Sequence, residues 1–295
     1  MDRKRFLTAL AAIPLAGTAM KLSGLSTITD PLPKTERMPV LFLGHGSPMN
    51  AIVENEFVQG FRKVATEIPK PRAILVVSAH WETRGTQVTA MKNPPTIHDF
   101  AGFPQALFDV RYPAPGSPEL AAETKRLITS TPVGLDQSWG LDHGAWSVVK
   151  HLYPNADVPV IQMSIDHSLA PERHYALAKE IAALRDKGVL VIGSGNMVHN
   201  LGMLAWDKLN EPYAFDWAQE AGDKMRRAII NGEHTPLINF HAQGRAFDLA
   251  INSGEHFLPL LYTLALQNRD EQATLFNDKA LAGSLTMTAV RIGKA

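Results

Sequence analysis

The chain has no cysteine, and this absence excludes several kinds of site. Disulfides, zinc sites with cysteine ligands, iron–sulfur clusters and cysteine nucleophiles are all ruled out. The tripeptide His80-Trp81-Glu82 matches half of the zinc deaminase signature, but the other half of that signature requires cysteines. Any metal in this protein must therefore be bound by nitrogen and oxygen atoms.

An excess of charge of one sign is also lacking, because 29 acidic residues balance 29 basic residues. No basic tract occurs beyond the first few residues, so nucleic acid is not expected as a partner. Neither a G-x-G-x-x-G nor a G-x-S-x-G motif is present, which argues against a dinucleotide-binding fold and a serine hydrolase. With 45% hydrophobic and 20% charged residues, the composition is that of an ordinary globular protein, and a small, roughly neutral substrate fits it best.

The N-terminal segment lacks a hydrophobic run long enough to span a membrane. Its apolar part, residues 6–19, is shorter than the ~20 residues that a membrane helix needs, and it follows the basic residues 3–5. This pattern predicts a signal peptide at residues 1–20, similar to a twin-arginine export signal with lysine in place of the second arginine. We therefore expect a periplasmic or exported protein without a stable membrane anchor after processing; the alternative is a cytoplasmic protein with an apolar N-terminal helix. Residues 21–37 are expected to form a linker, and residues 38–295 the folded domain.

The rest of the chain predicts a single α/β domain with a central mixed, mostly parallel sheet flanked by helices. Apolar runs typical of strands occur at residues 39–43, 73–78, 158–165 and 189–192, with a possible strand at 87–91 and an antiparallel or edge strand at 285–292. Helices are predicted at residues 54–68, 117–130 with Ser117 as N-cap, 146–152, 171–186, 214–231 and 256–267. Residues 93–116 and 134–144 lack periodicity and are predicted to be loops, the first long enough to be functional.

Four histidines stand next to such elements in small-residue surroundings. His45, His80 and His199 follow strand-like runs, and His256 opens a helix-like stretch. Histidine is the commonest protein metal ligand and acid/base side chain near neutral pH. Open α/β sheets also bind their ligands beyond the carboxyl ends of their strands. The pattern therefore predicts one assembled site, and a metal site in particular.

Five motifs in a fixed order carry a family resemblance. They are GHGSP at residues 44–48, SAHWE at 78–82, LDHG at 141–144, SGNMVHN at 194–200 and GEH at 254–256. This series resembles the 4,5-DOPA extradiol dioxygenase family, within the class III (LigB-type) extradiol aromatic ring-opening dioxygenases. The resemblance runs from about residue 38 to residue 292, so it implies that residues 38–295 form a ring-cleavage catalytic domain with the fold of that family.

The resemblance also implies the roles of the site residues. One divalent metal per chain would be held by His45, His80 and His256, with Fe(II) as the metal for ring cleavage and Zn(II) able to occupy the same site. Glu255 is the alternative third ligand, because non-heme iron enzymes commonly use two histidines and a carboxylate. His199 is implied as the acid/base residue and a possible fourth ligand, and His143 as a second catalytic residue that contacts substrate or oxygen.

The implied reaction inserts O2 into a small aromatic diol, DOPA-like in character, and gives a semialdehyde acid. A zinc-dependent hydrolase built on the same histidines and a non-catalytic metal-binding protein on the same fold are the alternatives. In the long loop, His98 is a further candidate for substrate contact. Other side chains that would line a pocket for an aromatic ring are Phe103, Tyr112, Trp139 and Trp146.

Overall fold

Ten strands form in the part of the chain that the computed structural model describes, residues 33–209 and 211–293. In chain order they are β1 Val40–Gly44, β2 Ala73–Thr83, β3 Thr86–Thr89, β4 Val133–Asp136, β5 Val160–Asp166, β6 Val189–Gly195, β7 Ala273–Phe276, β8 Ala280–Leu281, β9 Leu285–Thr286 and β10 Ala289–Ile292. Eight of them form one sheet in the order β4-β3-β5-β2-β6-β1-β10-β7, while β8 and β9 pair with each other. The pairs β1–β6, β6–β2, β2–β5 and β3–β4 are parallel, and β3–β5, β1–β10 and β10–β7 are antiparallel. The predicted mixed, mostly parallel sheet is therefore confirmed.

Helices lie between the strands along the chain, as parallel strands require. They are α1 Glu56–Glu67, α2 Gln105–Phe108, α3 Pro118–Leu127, α4 His143–Leu152, α5 Pro171–Glu180, α6 Asp216–Asn231, α7 His234–Ile238, α8 Arg245–Ala250 and α9 Leu258–Ala265. Local signals fix several of their starts: Ser117 caps α3 by accepting the backbone N–H of Leu120, and Asn55 caps α1 in the same manner. β1, β5 and β6 are buried at every residue, which accounts for their continuous apolar sequences.

The core that supports the site lies between the sheet and the helices α1 and α4. Phe61 of α1, Trp146 of α4 and Leu43 of β1 belong to one cluster of side chains that are fully shielded from solvent. Burial of each such side chain stabilises the fold by roughly 1.5–3 kcal/mol. Helix α4, which begins with His143, is therefore packed tightly against the sheet.

The structure corrects several predicted boundaries. Residues 134–144, predicted as a loop, contribute β4, which is only four residues long and pairs with β3. The predicted strand 285–292 is two strands, β9 and β10. β10 pairs antiparallel with both β1 and β7, which confirms the antiparallel alternative, and it lies inside the sheet rather than at an edge. The helix predicted at 171–186 ends at Glu180 and is followed by a 3-10 turn, Ala182–Lys187.

Two helices begin elsewhere than predicted. The helix predicted at 146–152 begins at His143, and the one predicted at 256–267 begins at Leu258. The predictions do not include β7, β8, α7 and α8, nor α2, which lies within the predicted loop 93–116.

The predicted N-terminal signal peptide, residues 1–20, lies outside the described residues, so export and localisation stay predictions. Most of the predicted linker, residues 21–37, lies outside them too. Its last residues belong to the compact unit Lys34–Ala295, since Thr35 donates its backbone N–H to the carbonyl of Asp186 and Arg37 forms an ion pair with the same residue at 2.7 Å. No helix among the described residues is both long and apolar enough to cross a membrane.

Candidate active site

Three parallel neighbours in the sheet, β1, β6 and β2, end at the same edge. Their register aligns Gly44 with Gly195 and Ser78 with Ser194. His45 is the residue after β1, and its backbone N–H donates to the carbonyl of Gly195 at 3.1 Å. His80 emerges from β2 where the pairing with β5 shifts between Val77 and Glu82, an irregularity of the kind that redirects side chains near sites.

His256 reaches the same edge from the segment before α9. The carbonyl of His256 accepts the backbone N–H of Asn196 at 2.9 Å, so this segment lies directly against the end of β6. The approach depends on Gly195: a Cβ atom there would lie 2.1 Å from the carbonyl oxygen of His256, a separation that no side chain tolerates.

The three predicted metal ligands come together. One ring nitrogen each from His45, His80 and His256 lies within 4.8 Å of the other two. The Nε2 atoms of His45 and His80 are 3.1 Å apart, and the ring centroid of His256 is 5.3 Å from that of His45. A cation placed among three nitrogens at such separations contacts all of them, because metal–nitrogen bonds are about 2.0–2.1 Å long.

Hydrogen bonds leave the inner nitrogen of His45 without a proton. Ser194 has one hydroxyl proton and donates it to the carbonyl of Gly144 at 2.5 Å. Its oxygen can then only accept from Nδ1–H of His45, 3.1 Å away. Nε2 of the neutral His45 ring therefore carries a lone pair, which is the state that binds a metal.

Glu255 acts in the same manner on His256. Its carboxylate oxygen lies 2.9 Å from Nδ1 of His256 and accepts that proton, so that Nε2 of His256 is again the free nitrogen. The pKa of Glu255 is lowered to about 2: burial opposes this shift, and hydrogen bonds from His256 and Ser253 outweigh burial. The residue considered as an alternative ligand thus lies behind the ring of His256, where a hydrogen-bond acceptor orients the ligand.

Electrostatics favour the neutral forms of His45 and His80. Burial, followed by the neighbouring imidazoles, holds the pKa of His45 well below its usual range, and the same causes lower the pKa of His80. Neutral imidazoles offer lone pairs, and the carboxylates of Asp99 and Glu255 supply negative charge beside them. Three converging imidazoles with two flanking carboxylates fit a divalent cation.

His199 lies beside this group, on the other side of His256. The two rings stack at a centroid distance of 3.5 Å with an angle of 7° between their planes. The backbone N–H of His199 donates to the carbonyl of Ala250, and this bond holds the backbone of His199 in place. Burial and then the nearby His256 ring lower the pKa of His199 to about 3.

His143 is brought into the cluster by the start of α4. Asp142 is the N-cap of this helix: its carboxylate accepts the backbone N–H of Ala145 and is also bonded by Ser78 at 2.7 Å and Gln162 at 2.6 Å. These bonds tie the start of α4 to β2 and β5. The His143 ring consequently lies 3.8 Å from that of His80, centroid to centroid.

One polar residue of the site was not predicted. Asp99, in the long loop, accepts the backbone N–H of His143 with Oδ1 and the ring Nδ1 of His143 with Oδ2, both at 2.8 Å. Oδ2 also lies 3.6 Å from Nδ1 of His80. Burial alone would raise the pKa of Asp99, and the hydrogen bonds from His143 reverse that effect and lower it.

The long loop reaches the site with Asp99 and Phe100 rather than with the residues predicted from it. Phe100 makes an edge contact with His143 at 5.5 Å, while Phe103 packs on Phe100. His98 instead packs against Phe108 and Trp146, with Nε2 3.1 Å from the carbonyl of Val110.

The other aromatic residues predicted to line the pocket form hydrogen bonds or ring contacts outside the five site histidines, which are His45, His80, His143, His199 and His256. The hydroxyl of Tyr112 donates to the carbonyl of Tyr153, and the indole N–H of Trp146 donates to the carbonyl of Ile97. Trp139 stacks on Trp81.

Comparison with known proteins agrees with this geometry. Residues 38–282 match the family described as the catalytic LigB subunit of aromatic ring-opening dioxygenase. The chain is 45% identical over 272 residues to the 4,5-DOPA dioxygenase extradiol of Escherichia coli K12, which covers 90% of this chain and 98% of that protein. It is 36% identical over 249 residues to the protein of the same name from Beta vulgaris, with 80% of this chain and 90% of that one covered. The crystal structure of an uncharacterized protein from Escherichia coli K12 matches with a TM-score of 0.75 at 40% identity, covering 87% of this chain and 100% of that chain.

Strand-end histidines on a mostly parallel sheet and the family match together define the class of protein as an aromatic ring-opening oxygenase. The chain belongs to the LigB family of aromatic ring-opening dioxygenases. It is therefore an aromatic ring-opening dioxygenase, and the two relatives named above are extradiol enzymes. The predicted family, fold class and enzyme class are confirmed.

Proposed function

We propose that this enzyme uses Fe(II) to open the ring of a DOPA-like catechol and to give a semialdehyde acid. The observation that supports the proposal most is the convergence of His45, His80 and His256, whose ring nitrogens lie within 4.8 Å of one another. The substrate assignment draws on the two 4,5-DOPA dioxygenases that resemble the chain over most of its length.

His45, His80 and His256 would hold the metal through their inner nitrogens. Bound Fe(II) supplies the one-electron chemistry that connects the catechol with O2, which Zn(II) lacks because it has no redox chemistry. We assign the third position to His256 rather than to Glu255, because the Glu255 carboxylate already accepts the Nδ1 proton of that ring.

His199 would move protons. Its neutral ring forms no hydrogen bond through either nitrogen within the described residues, so a nitrogen is free to accept the proton of a substrate hydroxyl. A catechol hydroxyl loses its proton only near pKa 10 in water, by analogy with tyrosine, and therefore needs such an acceptor. A histidine that has accepted this proton can return it when the product requires an acid.

His143 and Phe100 would bind and orient the substrate. The edge of Phe100 lies against His143, so an aromatic ring that contacts His143 also meets an apolar surface. His143 itself is only 5% exposed, which limits the access of water to any hydrogen bond it makes.

The test is reconstitution of the metal-free enzyme under anaerobic conditions with Fe(II) or with Zn(II), followed by oxygen uptake on a panel of catechols that includes DOPA. We expect uptake and a yellow semialdehyde product with iron only, and loss of both in His199→Ala. Absence of uptake on every catechol, with iron fully loaded, would refute the proposal. Consumption of substrate with Zn(II) and without oxygen uptake would instead favour a hydrolase.

A further inference from the structure

One carboxylate lies between two histidines of the site. Asp99 accepts both the backbone N–H and the Nδ1 proton of His143 at 2.8 Å, and its Oδ2 is 3.6 Å from Nδ1 of His80. Its side chain is only 15% exposed. Two hydrogen bonds to one residue, one to the backbone and one to the ring, fix both the position and the rotation of the His143 side chain.

This arrangement determines where the ring proton of His143 resides. An ionised carboxylate only accepts hydrogen bonds, so the atom that faces it must be Nδ1–H. The neutral His143 ring then has its lone pair on Nε2. In this tautomer His143 accepts a hydrogen bond from a ligand; in the other tautomer Nε2 would donate one.

A merely structural role for Asp99 is poorly supported. Capping of α4 is already performed by Asp142, whose carboxylate accepts the backbone N–H of Ala145. The loop that carries Asp99 is held independently of its carboxylate, since the backbone N–H of Ile97 donates to the carbonyl of Leu141 and the carbonyl of Ile97 accepts the indole N–H of Trp146. Oδ1 of Asp99 binds the backbone N–H of His143 at the start of α4, and Oδ2 is the atom that faces the ring of His143.

We infer that Asp99 is a positioning residue: it holds His143 as the Nδ1–H tautomer, so that Nε2 accepts a hydrogen bond from a substrate hydroxyl during ring opening. This inference rests on the proposed role of His143 in substrate binding. Asp99 does not itself touch the substrate in this arrangement; it acts through the ring of His143.

The first test reads the tautomer directly and needs no turnover. Nitrogen-15 NMR of the full-length chain with labelled histidine, recorded before and after addition of Zn(II), distinguishes Nδ1–H from Nε2–H rings. The set of ring-nitrogen signals that is lost in His143→Gln belongs to His143. We expect the Nδ1–H pattern for His143 in the unaltered protein and a mixture of tautomers in Asp99→Asn.

Asp136→Asn provides a matched control, because Asp136 is a carboxylate that accepts backbone N–H groups of Ser138 and Trp139 and contacts no histidine. The His143 pattern should be unchanged in it. An Nε2–H pattern for His143 in the unaltered protein would overturn the inference, whether or not Asp99→Asn folds.

The second test asks whether Asp99 acts through His143. In the iron-loaded enzyme, Asp99→Asn should lower kcat/KM by about 10–100-fold, the usual effect of removing a partner that orients a histidine. In the His143→Gln background the same change should cause no further loss, since the residues then form one unit. Additive losses in the double variant would overturn the inference. If no catechol is turned over at all, the proposed function fails, while the NMR result still decides the tautomer.

Discussion

Removal of the Ser194 hydroxyl should weaken metal binding without removing any ligand. Ser194 is fully buried, accepts from Nδ1 of His45 at 3.1 Å and donates to the carbonyl of Gly144 at 2.5 Å. In Ser194→Ala nothing holds the proton of His45 on Nδ1. The ring can then adopt the Nε2–H tautomer, in which the inner nitrogen has no lone pair for a metal.

The size of this effect follows from the two bonds that are lost. Removal of an orienting partner of a metal-binding histidine typically costs 10–100-fold in metal affinity. This corresponds to about 1.4–2.7 kcal/mol of binding free energy. The free energy of unfolding should also fall by about 1–3 kcal/mol, because a buried N–H and a buried carbonyl lose their partner.

Ser284→Ala separates these two effects. Ser284 is equally buried and donates to the carbonyl of Asn200 at 2.8 Å, but it bonds to no imidazole. Both variants should lose stability in urea unfolding of the metal-free protein, Ser284→Ala the less, because only the carbonyl of Asn200 loses its partner. Only Ser194→Ala should lose affinity in an anaerobic competition of Zn(II) or Fe(II) against a chelating dye. An unchanged dissociation constant in Ser194→Ala would refute the tautomer argument for His45.

Three further substitutions, the last with a control variant, test the site and the fold. His199→Ala should retain the metal, measured by elemental analysis, and lose about 10²–10⁴-fold in kcat, the range for a lost acid/base group; loss of the metal would show instead that His199 is a ligand. Glu255→Gln should weaken metal binding by about 10-fold in the same dye competition, because an amide oxygen still accepts from His256; complete loss would identify Glu255 as a ligand. Arg185→Met removes a buried guanidinium that is paired with a carboxylate at 2.5 Å, and should lower the free energy of unfolding by about 3–5 kcal/mol. Arg291→Met, on a more exposed ion pair, should change it by at most about 1 kcal/mol, and equal losses would contradict the argument.

The histidines at the strand ends were predictable because their signal is local. A continuous apolar run that stops at Gly44 and another that stops near Ser78 predict two buried parallel strands. Parallel strands in one sheet bring their carboxyl ends to one edge, so His45 and His80 had to lie near each other once both strands were recognised. The position of His143 in the first turn of α4 was missed, because residues 134–144 were predicted to be a loop and the helix to begin at residue 146.

Asp99 could not be predicted, because nothing in its neighbourhood indicates its partner. Asp99 and His143 are 44 residues apart, and the loop around Asp99 has no periodicity that would orient it. The adjacent His98 is the more conspicuous residue type in that loop, yet it packs away from the cluster. β4 was missed for a related reason: four residues beginning Val133-Gly134 are too short for an alternating pattern to be visible.

The sheet order also has a consequence for how the holoenzyme forms. β6 lies between β1 and β2, so His45 and His80 come into register only after a strand from the second half of the chain has inserted between theirs. His256 comes from a segment still further along the sequence than β6. No partial chain that stops before β6 can present the three nitrogens together.

A cation that requires all three ligands thus finds its binding site only in the folded protein. Such a ligand raises the free energy of unfolding with its concentration, by about 2.7 kcal/mol at one hundred times its dissociation constant. Metal binding that requires all three histidines therefore stabilises the complete sheet, β6 included, over any chain in which β6 is not yet in place.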